Sequence, residues 1–387
     1  MSGSPVTLPP ELYRDILQYL VSPADLCAAA LSARDLRPEA QRVLFAEPTP
    51  STASQHKHFL KVIISSPNHL ALLVRNYSVW SDKVREKLGL QDKKFTYNTV
   101  TALKLMRNIR NLWCSNILYL VEPLASCNFH LNAFSPPMPC IYHGSKFIME
   151  RFLPQQSNLR HLRWFLLDSR TQQTYNISPA LVPHLESLTG SWVTMRTFLP
   201  RRKIRFFQFE RVNFNYVTPL FAPLASELGR LEYLTFKNCQ SQPLADLSNY
   251  LQSLVLLQIQ LHPDHEEDEA SLQLLPNLRH LILLNNEIIL PEDQWIVKVN
   301  SIFANSASLV DIVLETDDKH WIRPSTPHAS QRNKNGRSSS NKAVRYMRFF
   351  LPEGKTSMTI REVSHSEVYA WRDQFVSYSN FWRDYDY

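Results

Sequence analysis

Cys127, His130, Cys140 and His143 are of the types, and at the spacing, that can hold a metal ion. They read C-x2-H, nine residues, C-x2-H, and thiolates with imidazoles are ligands that tetrahedral zinc prefers. Such a site needs four converging side chains. The segment between the two pairs instead carries Pro136, Pro137 and Pro139, with nothing to align a second shell. The alternative is buried thiols and surface histidines in a long connection. That reading is carried forward, with no metal and no cofactor. A second cluster sets His262 and His265 beside Glu266, Glu267 and Asp268. Its surroundings are polar throughout, as in a solvated loop and not a pocket.

Other catalytic patterns are missing. The chain has no G-x-S-x-G elbow, no Walker loop, no dinucleotide fingerprint and no H-E-x-x-H. Glycine occurs 7 times against 25 prolines; loops that cradle phosphates need the close backbone approach that glycine permits. A RING-type ligase needs a cysteine lattice for zinc, which 5 scattered cysteines do not supply. The chain is expected not to be an enzyme.

Composition sets the elements that must position any site. At 387 residues, 44% of them hydrophobic and 20% charged, the chain suits a small module followed by a larger one. The formal charge of +7 comes from 42 basic and 35 acidic residues. Much of the excess sits at Lys319, Arg323, Arg332, Lys334, Arg337 and Lys342. These lie in a polar stretch without interleaved aromatics, which argues against nucleic acid. The start, Met-Ser-Gly-Ser-Pro, lacks the basic and apolar regions of a secretory signal. No run of about 18 apolar residues suggests a membrane span. The expectation is an intracellular protein, in cytoplasm or nucleus, with reduced thiols and idle glycosylation sequons at Asn76 and Asn176.

Residues 5–45 predict three short helices. Pro9 and Pro10 suit a first turn, where a missing N–H costs nothing, and Leu12, Ile16, Leu17 and Leu20 recur at helical spacing. Ser22-Pro23-Ala24-Asp25 is a second start, followed by Leu26, Ala29, Ala30 and Ala33; a third begins near Pro38, with Ala40, Val43, Leu44 and Phe45 inward. About forty residues bury little, so the leftover apolar surface is either a cap folded onto the rest or a partner interface.

The run Leu8-Pro9-Pro10-Glu11-Leu12, then Ile16-Leu17, Tyr19-Leu20, Asp25-Leu26, Ser32, Ala40 and Leu44-Phe45 resembles an F-box. It is similar in particular to the large fungal families worded "LPPELYRDIL…LRPEAQRVLF". The family often has Trp in the third-helix region, where this chain has Leu36. The resemblance implies docking onto the Skp-type adaptor of a cullin–RING ubiquitin ligase. Leu8, Pro9, Leu12, Ile16, Leu17, Leu20, Leu26 and Leu44 would form or support that interface. It implies a substrate receptor that acts by proximity; the alternative is a binding or scaffold protein outside any ligase.

From residue 57 onward a template Φ-x-x-Φ-x-Φ recurs, Φ being apolar. It fits Val74-Tyr77-Val79, Ile109-Leu112-Cys114, Leu159-Leu162-Trp164, Ile204-Phe207-Phe209, Leu231-Leu234-Phe236, Leu254-Leu257-Ile259, Leu278-Leu281-Leu283, Leu309-Ile312-Leu314 and Val344-Met347-Phe349. Leu185-Leu188-Gly190 is a poorer copy, and a further one lies near Leu131-Phe134. The copies at 231, 254 and 278 keep a leucine-rich-repeat period, and helix-like stretches such as 57–65, 219–228, 245–252 and 293–304 lie between copies. The pieces "NLRHLILLNNEI" and "LEYLTFKNCQ" resemble such repeats. The fold expected is therefore α/β: an N-terminal three-helix F-box over 1–50, then an irregular leucine-rich-repeat-like solenoid with a parallel sheet over 51–387. An ordinary α/β domain with leucine-ended strands is the competing reading. Residues 264–269 read as an acidic loop and 316–342 as a mobile basic loop. The segment 366–387 reads as an aromatic helix capping the last repeat. Trp80, Trp164, Trp192 and Trp295 are either anchors for the target protein or core.

Overall fold

The structure, a computed structural model, describes residues 9–20, 22–50, 52–79, 93–114, 120–136, 142–164, 177–210, 221–237, 244–260, 270–284, 292–317, 344–350, 358–364, 366–368 and 370. It is mixed α/β, with short strands alternating with helices. By packing, the chain falls into two compact units, Met1–Leu167 with Ala180–His184, and Asp168–Pro179 with Leu185–Tyr387. The boundary expected at residue 50 lies inside the first unit.

The first unit opens with α1 (Pro10–Leu17), α2 (Pro23–Ser32) and α3 (Arg37–Ala46). Each has Pro in its first turn, where ring geometry favours the helix. Ser22 Oγ accepts the Ala24 N–H at 3.2 Å and so caps α2. Next comes α4 (Ala53–Ser65), started by a capping box in which Thr52 and Gln55 bond each other's backbone. After the single turn α5 (Leu70–Leu73) come β1 (Asn76–Ser78), β2 (Asn111–Trp113), β3 (Ala133–Ser135) and β4 (His161–Trp164). They pair in parallel, with Tyr77 beside Leu112, Leu112 beside Phe134 and Phe134 beside Leu162.

The second unit repeats the plan with β5 (Ser187–Gly190), β6 (Phe206–Glu210), β7 (Tyr233–Lys237), β8 (Leu256–Gln260), β9 (His280–Leu284) and β10 (Asp311–Asp317). All run parallel, and Leu188, Phe207, Leu234, Leu257, Leu281 and Ile312 stand in one column. Consecutive turns share a link: one carbonyl just before a strand accepts two N–H groups from the next turn. Arg75 O takes Arg110 and Asn111, and Arg205 O takes Glu232 and Tyr233; Glu232 O takes Val255 and Leu256, and Arg279 O takes Val310 and Asp311. The apolar residues of every template copy from Val74 to Leu314 are buried. Strand neighbours thus follow chain order within each unit, as in a leucine-rich-repeat-like array.

One copy is not a repeat. Val344-Met347-Phe349 lies on β11 (Val344–Phe350), which runs antiparallel to β10, and β12 (Thr359–Val363) is antiparallel to β11. The template encodes the two-residue alternation of any strand with one buried face, so it does not distinguish direction. What changes is the connection. Asp317 pairs with Val344, so 318–343 joins adjacent strand ends, with no crossover back along the sheet.

The expected basic loop starts later than read, since Thr316 and Asp317 complete β10; the rest of it, and the acidic loop 264–269, lie outside the described residues. Trp164, Trp192 and Trp295 are core, and Trp80 lies outside the described residues. Of the tail, 366–368 and 370 are helical. Among the described residues no helix is long and apolar enough to cross a membrane.

Candidate partner-docking surface

Helix α1 carries two apolar stripes with different fates. Leu17 (3% exposed) joins Leu26 and Ala40 in a small core of α1–α3, with Tyr13, Leu20, Ala29, Ala30, Leu36, Val43 and Leu44 packed around it. Tyr13, Leu17 and Leu20 share a face at spacings of four and three. The neighbouring stripe, Pro9, Leu12, Ile16 and Tyr19, follows spacings of three, four and three and faces out. Leu12 is 43% exposed, Ile16 51% and Tyr19 78%; on α2, Leu31 is 80% exposed. The apolar surface left over by three short helices is therefore open to solvent. Burying Leu12 and Ile16 against a partner is worth roughly 1–2 kcal/mol each, since a full burial brings about 1.5–3.

Of the residues expected at the interface, Pro9, Leu12 and Ile16 are presented, while Leu20 and Leu44 are half-buried. Leu17 and Leu26 are inside and support the surface without forming it. Leu8 lies outside the described residues. Tyr19 and Leu31 were not among the expected contacts. Tyr19 was recoverable from the spacing of Leu12 and Ile16; Leu31 was not, because its neighbours on α2 are alanines that blur the helix face.

Basic residues gather around Arg75. Burial and the guanidinium charges of Arg110, Arg42 and Arg14 all lower the pKa of Arg75. Positive charge from α1, α3 and the first two repeat turns is thereby concentrated near one place. The three helices are also joined to the repeats: Arg75 N–H donates to Ala46 O at 2.9 Å, and Asn76 Nδ2 to Glu47 Oε2 at 3.1 Å.

The other sequence candidates divide. Cys127 is buried, and burial pushes its thiol up to about 11, away from the thiolate that binds metals. His130 is exposed, with Nδ1 3.3 Å from Gln155 O. Cys140 and the side chain of His143 lie outside the described residues, as do His262, His265, Glu266, Glu267 and Asp268. Among the described residues no group of three or more His, Cys, Asp or Glu side chains is placed to hold a metal ion.

Two polar arrangements escaped sequence reading. His56 is buried among Phe59, Tyr77 and Phe95, shares a 2.7 Å hydrogen bond with the Tyr77 hydroxyl, and is lowered to about 4 by burial. Asp311 is fully buried, with His280 Nδ1 at 3.0 Å from one oxygen and Arg348 Nη2 donating to the other at 2.8 Å. These three meet where the parallel order gives way to β11. With one oxygen held by the Arg348 guanidinium and the other by the His280 ring, the carboxylate ties β9, β10 and β11 together.

No family model matches this chain, and no curated protein matches it. Among solved structures, the chain is similar to the crystal structure of a TLR13–ssRNA13 complex, at 16% identity and a TM-score of 0.31. The match covers 63% of this chain and 30% of that one.

Proposed function

We propose that this chain is a non-enzymatic adaptor. Its N-terminal helices act as an F-box docked on the Skp-type adaptor of a cullin–RING ubiquitin ligase, and its repeats hold a target protein. The observation that carries the reading is the exposed stripe of Pro9, Leu12, Ile16 and Tyr19 beside a self-sufficient core at Leu17, Leu26 and Ala40. A helical segment that fills its own core and still presents oily side chains is built for a second surface. The mechanism is proximity: holding a target near a charged conjugating enzyme raises effective concentration, so no catalytic group is required of this chain. Such a complex works inside the cell.

The test is capture of a purified Skp-type adaptor by the full chain, compared with the double variant Leu12→Asp and Ile16→Asp. Wild-type capture with at least about tenfold loss in the variant, at unchanged melting temperature, is expected, since removing two buried anchors forfeits a few kcal/mol. Equal capture by both chains removes the proposed interface.

A second reading, a repeat-based scaffold outside any ligase, is favoured by the ties of α3 to the repeats through Ala46 and Glu47. Failure of the wild-type chain to capture the adaptor would leave this reading in place.

A further inference from the structure

The residues just before the strands form a second column, joined through the backbone. In the first unit Arg110 N–H donates to Arg75 O at 2.8 Å, Asn132 N–H to Arg110 O at 2.6 Å, and Arg160 N–H to Asn132 O at 2.9 Å. Arg75, Arg110 and Arg160 are all exposed. In the second unit the same position reads Glu186, Arg205, Glu232, Val255, Arg279 and Val310, linked in the same way.

The two columns handle charge differently. Arg205 and Glu232 stand on adjacent turns and meet as a fork: Arg205 Nε donates to Glu232 Oε1 at 2.7 Å, and Arg205 Nη2 donates to Oε2. Side chains at this position therefore reach one another across a single strand spacing, about 4.8 Å. Arg75 and Arg110 occupy an equivalent pair of turns, yet both are cations. Like charges placed opposite one another across neighbouring strands are destabilising. Further charge arrives from the helices. Through the bond from Arg75 N–H to Ala46 O, α3 brings Arg42 to the same place, and Arg14 of α1 adds to the positive field at Arg75. The acids of α3 and its end are already engaged, Glu39 with Arg42 at 3.4 Å and Glu47 with Asn76 Nδ2. Among the described residues no carboxylate pairs with Arg75 or Arg110; Arg75 Nη1 donates instead to Asn108 O at 3.2 Å.

We propose that the arginine column of the first unit is a docking site for an extended acidic peptide of a partner protein. Its carboxylates take at Arg75 and Arg110 the place that Glu232 takes at Arg205. The chain's own fork shows how an arginine at this position grips a carboxylate, through two parallel N–H donors. Length agrees with an extended ligand. From Arg75 to Arg160 are three strand spacings, about 14 Å, which about five extended residues span at about 3.3 Å each. The column holds no aromatic side chain on which a nucleic-acid base could stack, which favours peptide over nucleic acid. The site does not depend on an adaptor docked at Leu12 and Ile16.

Fluorescence anisotropy of the full chain with a labelled peptide of six glutamates between Gly-Ser flanks, at low salt, tests the site. Binding is expected to weaken at least about tenfold in the double variant R75Q and R110Q, which removes two charge-assisted donors. The pair K203Q and R230Q takes the same charge from exposed residues of the second unit and should change binding by less than about twofold. A six-glutamine peptide should not bind. In a separate variant, Arg110→Glu rebuilds against Arg75 the arrangement of Arg205 with Glu232. It should abolish peptide binding and raise the melting temperature by roughly 2 °C. The chain carrying L12D and I16D should bind the peptide as the wild type does, so failure of adaptor capture and failure of this site are separate results. No binding by the wild-type chain, equal losses in the two double variants, or tighter binding of a twelve-nucleotide oligothymidylate than of the peptide would overturn the proposal. If R75Q with R110Q does not fold, the Arg110→Glu chain decides, and peptide binding retained there overturns the site.

Discussion

The sheets of the two units are alike on one face and differ on the other, where the second unit adds a run of large apolar side chains among its polar ones. The shared face is the template face, where Leu112, Phe134 and Leu162 in the first unit match Leu234, Leu257 and Leu281 in the second. On the other face the first unit mixes Asn76, Asn111, His161 and Arg163 with Trp113 and Ala133. Asn111 Nδ2 donates to Asn76 Oδ1 at 2.8 Å, His161 is buried, and the Arg163 guanidinium lies 4.3 Å from the Trp113 ring centre. The second unit places Phe206 against Tyr233 there, edge to face at 4.3 Å, followed by Leu256, Ile282 and Val313. Stacking demands apolar residues on only one side of each strand. The other side is free to vary, so two arrays built from one rule offer different surfaces.

The difference also divides how the units respond to acid, which is the largest effect expected. His56 and His161, both in the first unit, are lowered to about 4; burial is the chief cause in each, and Arg160 adds to it at His161. A folded pKa below the unfolded value means that the unfolded chain binds protons first. The penalty is absent above about pH 6.5, grows as pH falls, and levels off near pH 4. At pH 5 each histidine costs roughly 2 kcal/mol, so the first unit loses about 4 kcal/mol. Hydrogen exchange at pH 7.5 and pH 5 should show protection falling in β1–β4 more than in β6–β10. His56→Gln, which keeps a hydrogen-bonding group near Tyr77 and removes the titration, should recover about half the loss. Uniform loss in both units would erase this distinction.

Next in size is a cavity. Leu257 is fully buried at the centre of the second unit's template column. Leu257→Ala is expected to cost about 3 kcal/mol, from lost transfer energy plus the void. The lowered denaturant midpoint should appear in probes of the second unit, with the first unit's transition unmoved if the units unfold separately. A single shifted transition would show that the two units behave as one cooperative block.

How much of this was legible follows from what each signal encodes. The buried columns could be read because the template repeats and every copy from Val74 to Leu314 is core. The reversal at β11 could not, because alternation carries no direction and the pairing depends on which strand ends the connection 318–343 links. The α1 stripe was visible at Leu12 and Ile16, whereas the division of labour with Leu17 depended on how α2 and α3 pack. Asp311 with His280 and Arg348 was hidden, since the three lie on separate strands and meet only through register. The same holds for His56, whose partner Tyr77 is 21 residues away.

The smallest expected effect returns to the same face of the first unit. Arg163 is half-buried over Trp113, and a guanidinium so placed contributes about 1 kcal/mol through attraction to the ring face. Arg163→Met keeps much of the packing and removes the charge, so it should destabilise the first unit by under about 1 kcal/mol and red- or blue-shift the Trp113 emission. The same exchange at Arg348 in the second unit should cost more, because it takes a cation from the fully buried Asp311 carboxylate. If thermal melts of the two variants show equal losses, the polar groups on the two faces are interchangeable supports, and the contrast between the arrays reduces to their apolar residues.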